Sequence, residues 1–233
     1  MSTKSKAKTL EKPSNVFNPS AYFSSVIYTI NKPEFLDAVT QVSNEALDIA
    51  KKDREMNSAY PVVMTGSLIN HPKIVEFETF IAQAGWTILD SQGYDVSDVA
   101  TYITELWCQE HFKYSGMEQH VHPYGVMLSG FYFLTTPQDG QLVEIHDPRP
   151  GKVQASLKMK DQSKITEANN SVYIKPEPGM FLICNSWLSH SFTRNASDTS
   201  CKFIHFNISS MPVNNLPPSS VAPVASTSQP EII

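Results

Sequence analysis

Two hydrophobic periodicities divide this chain. Between Pro33 and Gly93 the apolar positions recur every three or four residues, the spacing that gathers side chains on one face of a helix. Phe35, Val39, Val42, Ala46 and Ile49 or Ala50 mark a first helix with Pro33 in its first turn, ending near Arg54. After His71-Pro72, the positions Ile74, Phe77, Phe80 or Ile81, Ala84 and Ile88 mark a second, with Gly93 as its stop. Both stripes read as surface that packs on a core. Beyond Val99 the helical spacing disappears, and short apolar and aromatic runs alternate with Pro, Gly, Asn and Asp. These predict strands at 101–108, 110–114, 119–123, 127–134, 141–145, 153–159, 171–175, 180–185 and 201–208, after an earlier strand at 21–30 and a short extended piece at 61–65. Many short strands preceded by two helices predict a mainly β fold, a jelly roll backed on one outer face by the two N-terminal helices.

Composition narrows the class. A chain of 233 residues with 41% hydrophobic residues builds one domain with an ordinary core, placed at 15–209. Residues 1–14 are polar and lysine-rich, and 210–233 are rich in Pro, Ser, Val and Ala; both are expected to be flexible. The start MSTKSKAKTLEK lacks the apolar stretch of a signal peptide and no run approaches a membrane span, so the expectation is a cytoplasmic protein with no membrane partner. A net charge of -5 provides no basic field for a phosphate backbone, and nucleic acid is not expected. Cys108, Cys184 and Cys201 are too few and too far apart for a disulfide framework or a zinc knuckle, which leaves reduced, packed thiols.

The chemistry concentrates late in the chain. In a strand, His120 and His122 project to the same side, close enough for their imidazoles to share an ion. Taken alone, such a pair is more often one exposed histidine and one held by a backbone hydrogen bond. His190, just past the apolar run 180–185, changes the reading, because a jelly roll lays distant strands face to face and lets it complete a three-ligand site. Three protein ligands leave coordination positions open, the mark of a reactive centre. Lys202 heads the last predicted strand, where its ammonium either pairs with the far carboxylate of a small diacid or is simply solvated. Tyr132 is either a hydrogen-bond donor to such a ligand or a buried ring satisfied by backbone, and Ser129-Gly130 reads as a point of close strand packing. Asp147-Pro148-Arg149 reads as a turn with an ion pair, and Trp187 as core.

The order His120-Val-His122-Pro, Ser129-Gly130-Phe-Tyr132-Phe, Asp147-Pro148-Arg149, Pro178-Gly179, Ser186-Trp187-Leu-Ser-His190 and Phe206-Asn207 resembles the Fe(II)- and 2-oxoglutarate-dependent oxygenases of marine bacteria and tailed phages, relatives of prolyl 4-hydroxylases. The resemblance runs from about Pro61 to Ile208. It implies a double-stranded β-helix of the cupin type, His120 and His190 as the iron histidines, and a basic residue on the last strand, a role that suits Lys202, on 2-oxoglutarate. It further implies Fe(II), 2-oxoglutarate and O2 as cofactor and cosubstrates, and hydroxylation of a C–H bond with release of succinate and CO2. The acceptor, by analogy with prolyl hydroxylases, is a protein side chain; a free amino acid, a nucleotide base or another small molecule are alternatives.

Two departures from the family pattern carry consequences. The usual first motif ends in Asp or Glu where this chain has His122, so the ligand set is neutral unless Asp147 or Glu144 supplies a carboxylate. Along the last strand Lys202 shares a face with Ile204 and Phe206, while His205 and Asn207 share the other; if the polar face lines the cavity, His205 or Arg194 takes the diacid. Two competing functions remain: a non-catalytic jelly-roll module such as a phage accessory or structural protein, and a three-histidine cupin-type dioxygenase that uses no 2-oxoglutarate. Neither the acceptor nor the oligomeric state leaves a mark in the sequence.

Overall fold

The computed structural model describes residues 17, 19–52, 57–155 and 157–215. Pro33 opens a 3-10 turn, Pro33–Phe35, which runs into helix α1, Leu36–Lys52. Helix α2 spans Val75–Ser91 and stops at Gly93, whose φ of +88° is a left-handed conformation that side-chain-bearing residues rarely adopt. Ten strands complete the fold: β1 (Ile27–Asn31), β2 (Val62–Met64), β3 (Val99–His111), β4 (Met117–His120), β5 (Leu128–Thr135), β6 (Val143–His146), β7 (Ser171–Ile174), β8 (Met180–Asn185), β9 (His190–Phe192) and β10 (Cys201–Pro212). They form a major sheet in the order β1-β8-β5-β10-β3-β2 and a minor sheet in the order β4-β9-β6-β7. Every recorded pairing is antiparallel. The result is the double-stranded β-helix that the sequence predicts.

Strand alternation explains why the central strands read as continuous apolar runs. The major sheet is covered on both faces, so successive residues fall into different cores. Leu106, Cys108, Tyr132, Phe181, Ile183, Ile204, Phe206 and Ile208 pack with Val39, Val42 and Leu47 of α1 and Phe77, Ile81 and Ile88 of α2. Their neighbours Phe131, Phe133, Leu182, Cys184 and Phe203 face the other way, against Val143, Ile145 and Phe192 of the minor sheet. Gly130 shows how tight the first contact is: a Cβ there would run into the Phe206 ring and come within 2.9 Å of the Leu182 carbonyl. Gly85 of α2 is similarly required, since a Cβ would stand 2.9 Å from the Ile208 side chain.

Several expected boundaries shift. The two strands expected at 101–108 and 110–114 are one continuous strand, β3, because β10 pairs along its whole length. The alternation at 153–159 does not make a strand: Pro150–Gln154 is a 3-10 turn, and Leu157 lies 93% exposed with no neighbouring strand to cover it. Strand β9, too short to show a period, was not expected. β10 continues to Pro212, past the expected start of the tail at 210, because Ser209 to Pro212 still pair with β3. The expected flexible segment 1–14, and the tail from 216 onward, lie outside the described residues. No helix among the described residues is long and apolar enough to cross a membrane.

Candidate metal centre

β4 and β9 set the site. His120, the last residue of β4, is the register partner of His190, the first of β9. Beyond β4 the His122 backbone N–H donates to the Ser186 carbonyl at 2.9 Å, which holds His122 beside His120 and His190. The three histidines thereby converge, with one nitrogen from each lying within 4.8 Å of the others. His122 Nε2 and His190 Nε2 are 3.3 Å apart, close to the ~3 Å expected of two nitrogens bound side by side to one ion at bonds of about 2.1 Å.

The outer hydrogen bonds choose the tautomers. His190 Nδ1 lies 2.9 Å from the Leu188 carbonyl, and His120 Nδ1 lies 2.8 Å from the Glu118 carbonyl. A carbonyl can only accept, so both Nδ1 atoms carry the proton and both Nε2 atoms keep a lone pair directed at the centre. His122 is held differently: the Ser129 hydroxyl sits 3.0 Å from its Nε2. Protonation does not compete for the His122 and His190 lone pairs at neutral pH. Burial, reinforced by the neighbouring imidazoles, pushes His122 down to about 3, and burial pushes His190 to about 4. Three imidazoles with one ligand nitrogen each within 4.8 Å of the others fit iron, and also zinc or copper, on donor chemistry alone.

Ring stacking extends the centre into the barrel. His122 stacks on His190 with centroids 5.2 Å apart, and His205 of β10 also stacks on His122 at 5.0 Å. Trp107 of β3 continues the column, 4.4 Å from His205. His205 is 2% exposed, and burial, followed by the charge it would share with His122 and His190, holds it well below the ordinary histidine range. Ser129 and Trp107 had no chemical role in the sequence reading. The signal that finds them is strand parity, since Ser129, His205 and Trp107 all fall on the inner face once the faces are assigned.

The other expected residues lie elsewhere. Lys202 points to the helix side of the major sheet, where Nζ donates to Asn44 Oδ1 of α1 at 3.0 Å and stands 3.6 Å from Glu110. Tyr132 is on the same side, its hydroxyl donating to the Lys32 carbonyl at 2.8 Å and its ring packed between Phe77 and Phe181. Asp147 is paired with Arg149 at 2.6 Å, the expected turn. Glu144 lies on the outward face of β6 with Ser191 and Tyr173, and neither carboxylate belongs to the histidine group. Arg194 donates to the Tyr114 carbonyl at 2.8 Å. Trp187, expected in the core, is 50% exposed, because it falls on the outer side of the loop that delivers Leu188 and His190 inward. A cavity of about 420 Å³ lies at the sheet edge between Tyr22, His146, Arg149 and Asn170; the three histidines do not line it.

Comparison with known proteins agrees with this geometry. Residues 105–207 match the family described as "Putative 2OG-Fe(II) oxygenase". Among solved structures, a Pseudomonas putida prolyl-4-hydroxylase superimposes with a TM-score of 0.53 at 8% identity, covering 80% of this chain and 93% of that one. The carbocyclase SnoK from nogalamycin biosynthesis gives 0.56 at 13%, covering 79% of each chain. The viral collagen prolyl hydroxylase of Paramecium Bursaria Chlorella virus-1 gives 0.51 at 10%, covering 78% and 94%. At such identities these likenesses establish the fold. A search of curated proteins gives no match. The family match adds the class: residues 105–207 are similar to 2OG-Fe(II) oxygenases, and the protein is a 2-oxoglutarate- and Fe(II)-dependent dioxygenase with Fe(II), 2-oxoglutarate and O2 as its cofactor and cosubstrates.

Proposed function

We propose that the protein is a hydroxylase whose iron is held by His120, His122 and His190, and whose acceptor is a side chain of a protein or peptide. When bound, Fe(II) with 2-oxoglutarate supplies the oxidising chemistry, in which the cosubstrate loses CO2 to become succinate and one oxygen atom of O2 enters a C–H bond of the acceptor. The observation that carries the reading is that one nitrogen from each of three histidines lies within 4.8 Å of the others, with Nδ1 of two of them fixed by carbonyls.

The chain's own residues do the rest. The carbonyls of Glu118 and Leu188 hold two imidazoles in the ligating tautomer. Phe131, packed on His190 at 5.4 Å, and Phe192 close the inner end of the barrel against water. At the other end, Val121, Tyr124 and Trp187 are exposed around the loops that carry His122 and His190, an apolar rim suited to a chain segment laid across the opening. Prolyl hydroxylases recur among the similar folds, one of them with a peptide fragment in its complex, which supports a peptidyl acceptor.

The test is anaerobic reconstitution with Fe(II) and 2-oxoglutarate. The expected results are a weak visible charge-transfer band and succinate formation on admitting air, both lost in His190→Ala. Peptides that raise succinate release should gain one oxygen atom by mass spectrometry. Metal binding with no band at any 2-oxoglutarate concentration would refute 2-oxoglutarate as the cosubstrate and favour a three-histidine dioxygenase that does not use it.

A further inference from the structure

The inner face of the major sheet changes character along β10. Phe203, His205 and Asn207 stand opposite Gln109, Trp107 and Glu105 of β3 and, across the other edge of β10, opposite Phe133, Phe131 and Ser129 of β5. The Phe203 row lies toward the end that Phe192 closes, with the two rings stacked at 4.7 Å. The row of Glu105, Asn207 and Ser129, on the far side of Trp107, is polar throughout. Just past it the β3–β10 register slips: Asn207 pairs with Glu105 but Ile208 with Ile103, which leaves Thr104 without a cross-strand partner. Bulges of this kind re-aim side chains and gather beside active sites.

Glu105 and Asn207 present acceptors. The Asn207 amide nitrogen donates to Glu105 Oε2. A carboxylate only accepts, so this bond fixes the amide and turns Asn207 Oδ1 away from Glu105. That oxygen is buried without a hydrogen-bond partner, on a residue that is 0% exposed. Buried polar atoms are nearly always satisfied, so a group with N–H donors is missing beside it. Glu105 itself is half-buried, and no lysine or arginine among the described residues forms an ion pair with it. The row leads to the histidines, because the Ser129 hydroxyl lies 3.0 Å from His122 Nε2. Glu105 and Ser129 are two strand spacings apart, roughly 10 Å, a gap that a long side chain bridges.

We propose that Glu105 and Asn207 select a cationic acceptor: the ammonium or guanidinium of a lysine or arginine side chain rests between the Glu105 carboxylate and Asn207 Oδ1, and its methylenes run past Ser129 to the three histidines. Such a cation brings the charge that Glu105 lacks and N–H donors enough for both oxygens, and a hydrogen bond between ionised partners is stronger than a neutral one. An apolar side chain of the same length would cover both oxygens and leave them unpaired, which is costly. The inference rests on the reading of a peptidyl acceptor and of His120, His122 and His190 as the metal ligands.

The test uses the full chain loaded with Zn(II), a diamagnetic probe, and 2-oxoglutarate. It is titrated with three end-blocked pentapeptides of glycine whose central residue is lysine, norleucine or glutamate. Binding is read from the indole N–H resonance of Trp107, the neighbour of Glu105 on the inner face, identified by its loss in Trp107→Phe. The lysine peptide should bind at least tenfold more tightly than the other two. Glu105→Gln, which keeps an acceptor for the Asn207 amide, should erase that advantage and leave the norleucine peptide within about twofold of its wild-type affinity, the neutral range for an unaltered contact. If the wild type binds norleucine as tightly as lysine, the cationic selection is wrong and the peptidyl reading stands. If none of the three peptides binds the loaded chain, both fall. Should Glu105→Gln fail to fold, the ratio of lysine to norleucine affinity in the wild type decides alone.

Discussion

His120 and His190 are cross-strand partners whose rings meet edge to face at 4.5 Å, although seventy positions of sequence separate them. One belongs to an edge strand and the other to its neighbour, so the candidate metal centre is only as rigid as the β4–β9 pairing. Replacing His190 with Ala should lower metal affinity by more than the roughly 100-fold typical of losing an outer partner to a ligand. The change should be read by metal analysis after dialysis, with circular dichroism confirming that the fold survives. Chelation of the wild type by EDTA should abolish succinate formation, and Fe(II) alone should restore it.

Lys202 and Tyr132 should behave as structural residues. Lys202→Met leaves Glu110 with its 2.7 Å partner Lys51, so the expected cost is roughly 1–2 kcal/mol of stability, discounted for the partial exposure of Lys51. Tyr132→Phe removes one hydrogen bond to the Lys32 carbonyl and should cost about 1 kcal/mol. Denaturant midpoints check both values. The KM for 2-oxoglutarate should stay within about twofold in each, the neutral range for groups that do not touch the ligand.

Gly130→Ala should be among the most damaging single-methyl changes in the molecule. The new carbon would meet the Phe206 ring and stand 2.9 Å from the Leu182 carbonyl, inside a sheet packed on both faces. Overpacking of this kind costs about 1–3 kcal/mol. Gly66→Ala, with nothing within 4 Å of the added carbon, is the matched control and should change the midpoint little.

His111 should make the fold acid-sensitive. It is fully buried, its ring nitrogens lie 3.0 Å from Gln109 Oε1 and from Gln141 Nε2, and burial pushes it from 6.5 down to about 4. The folded state therefore binds this proton less readily than the unfolded chain. The contribution is complete above pH 6.5, declines as the pH falls towards 4 and is exhausted below it. At most about 3 kcal/mol is involved. Because other buried histidines titrate in the same direction, the measurement is a difference: stability against pH for the wild type minus that for His111→Gln, which should show a shallower loss between these limits.

The two helices were legible because their apolar stripes are long and regular, and α1 and α2 lie close to where the period of Val39, Val42, Phe77 and Ile81 puts them. Most strands were legible for the opposite reason, as short runs of β-branched and aromatic residues between turn formers. Where no period exists, the sequence is silent or misleading. His190-Ser191-Phe192 is too short to show one, and residues 153–159 alternate without a neighbouring strand to make the alternation count.

The identity of the three clustered histidines could be read from residue order, since a strand puts His120 and His122 on one side whatever surrounds it. Alternation also stated in advance that Lys202 and His205 must face opposite ways. What residue order could not supply was which of the two faces is the interior, because that depends on where α1 and α2 come to rest. Their packing on Ile204, Phe206 and Ile208 turned Lys202 outward to Asn44 and Glu110 and left His205, Ser129 and Trp107 beside the histidine cluster. Side-chain parity is local and follows from backbone geometry, whereas the choice of buried face is made by contacts between segments far apart in the chain.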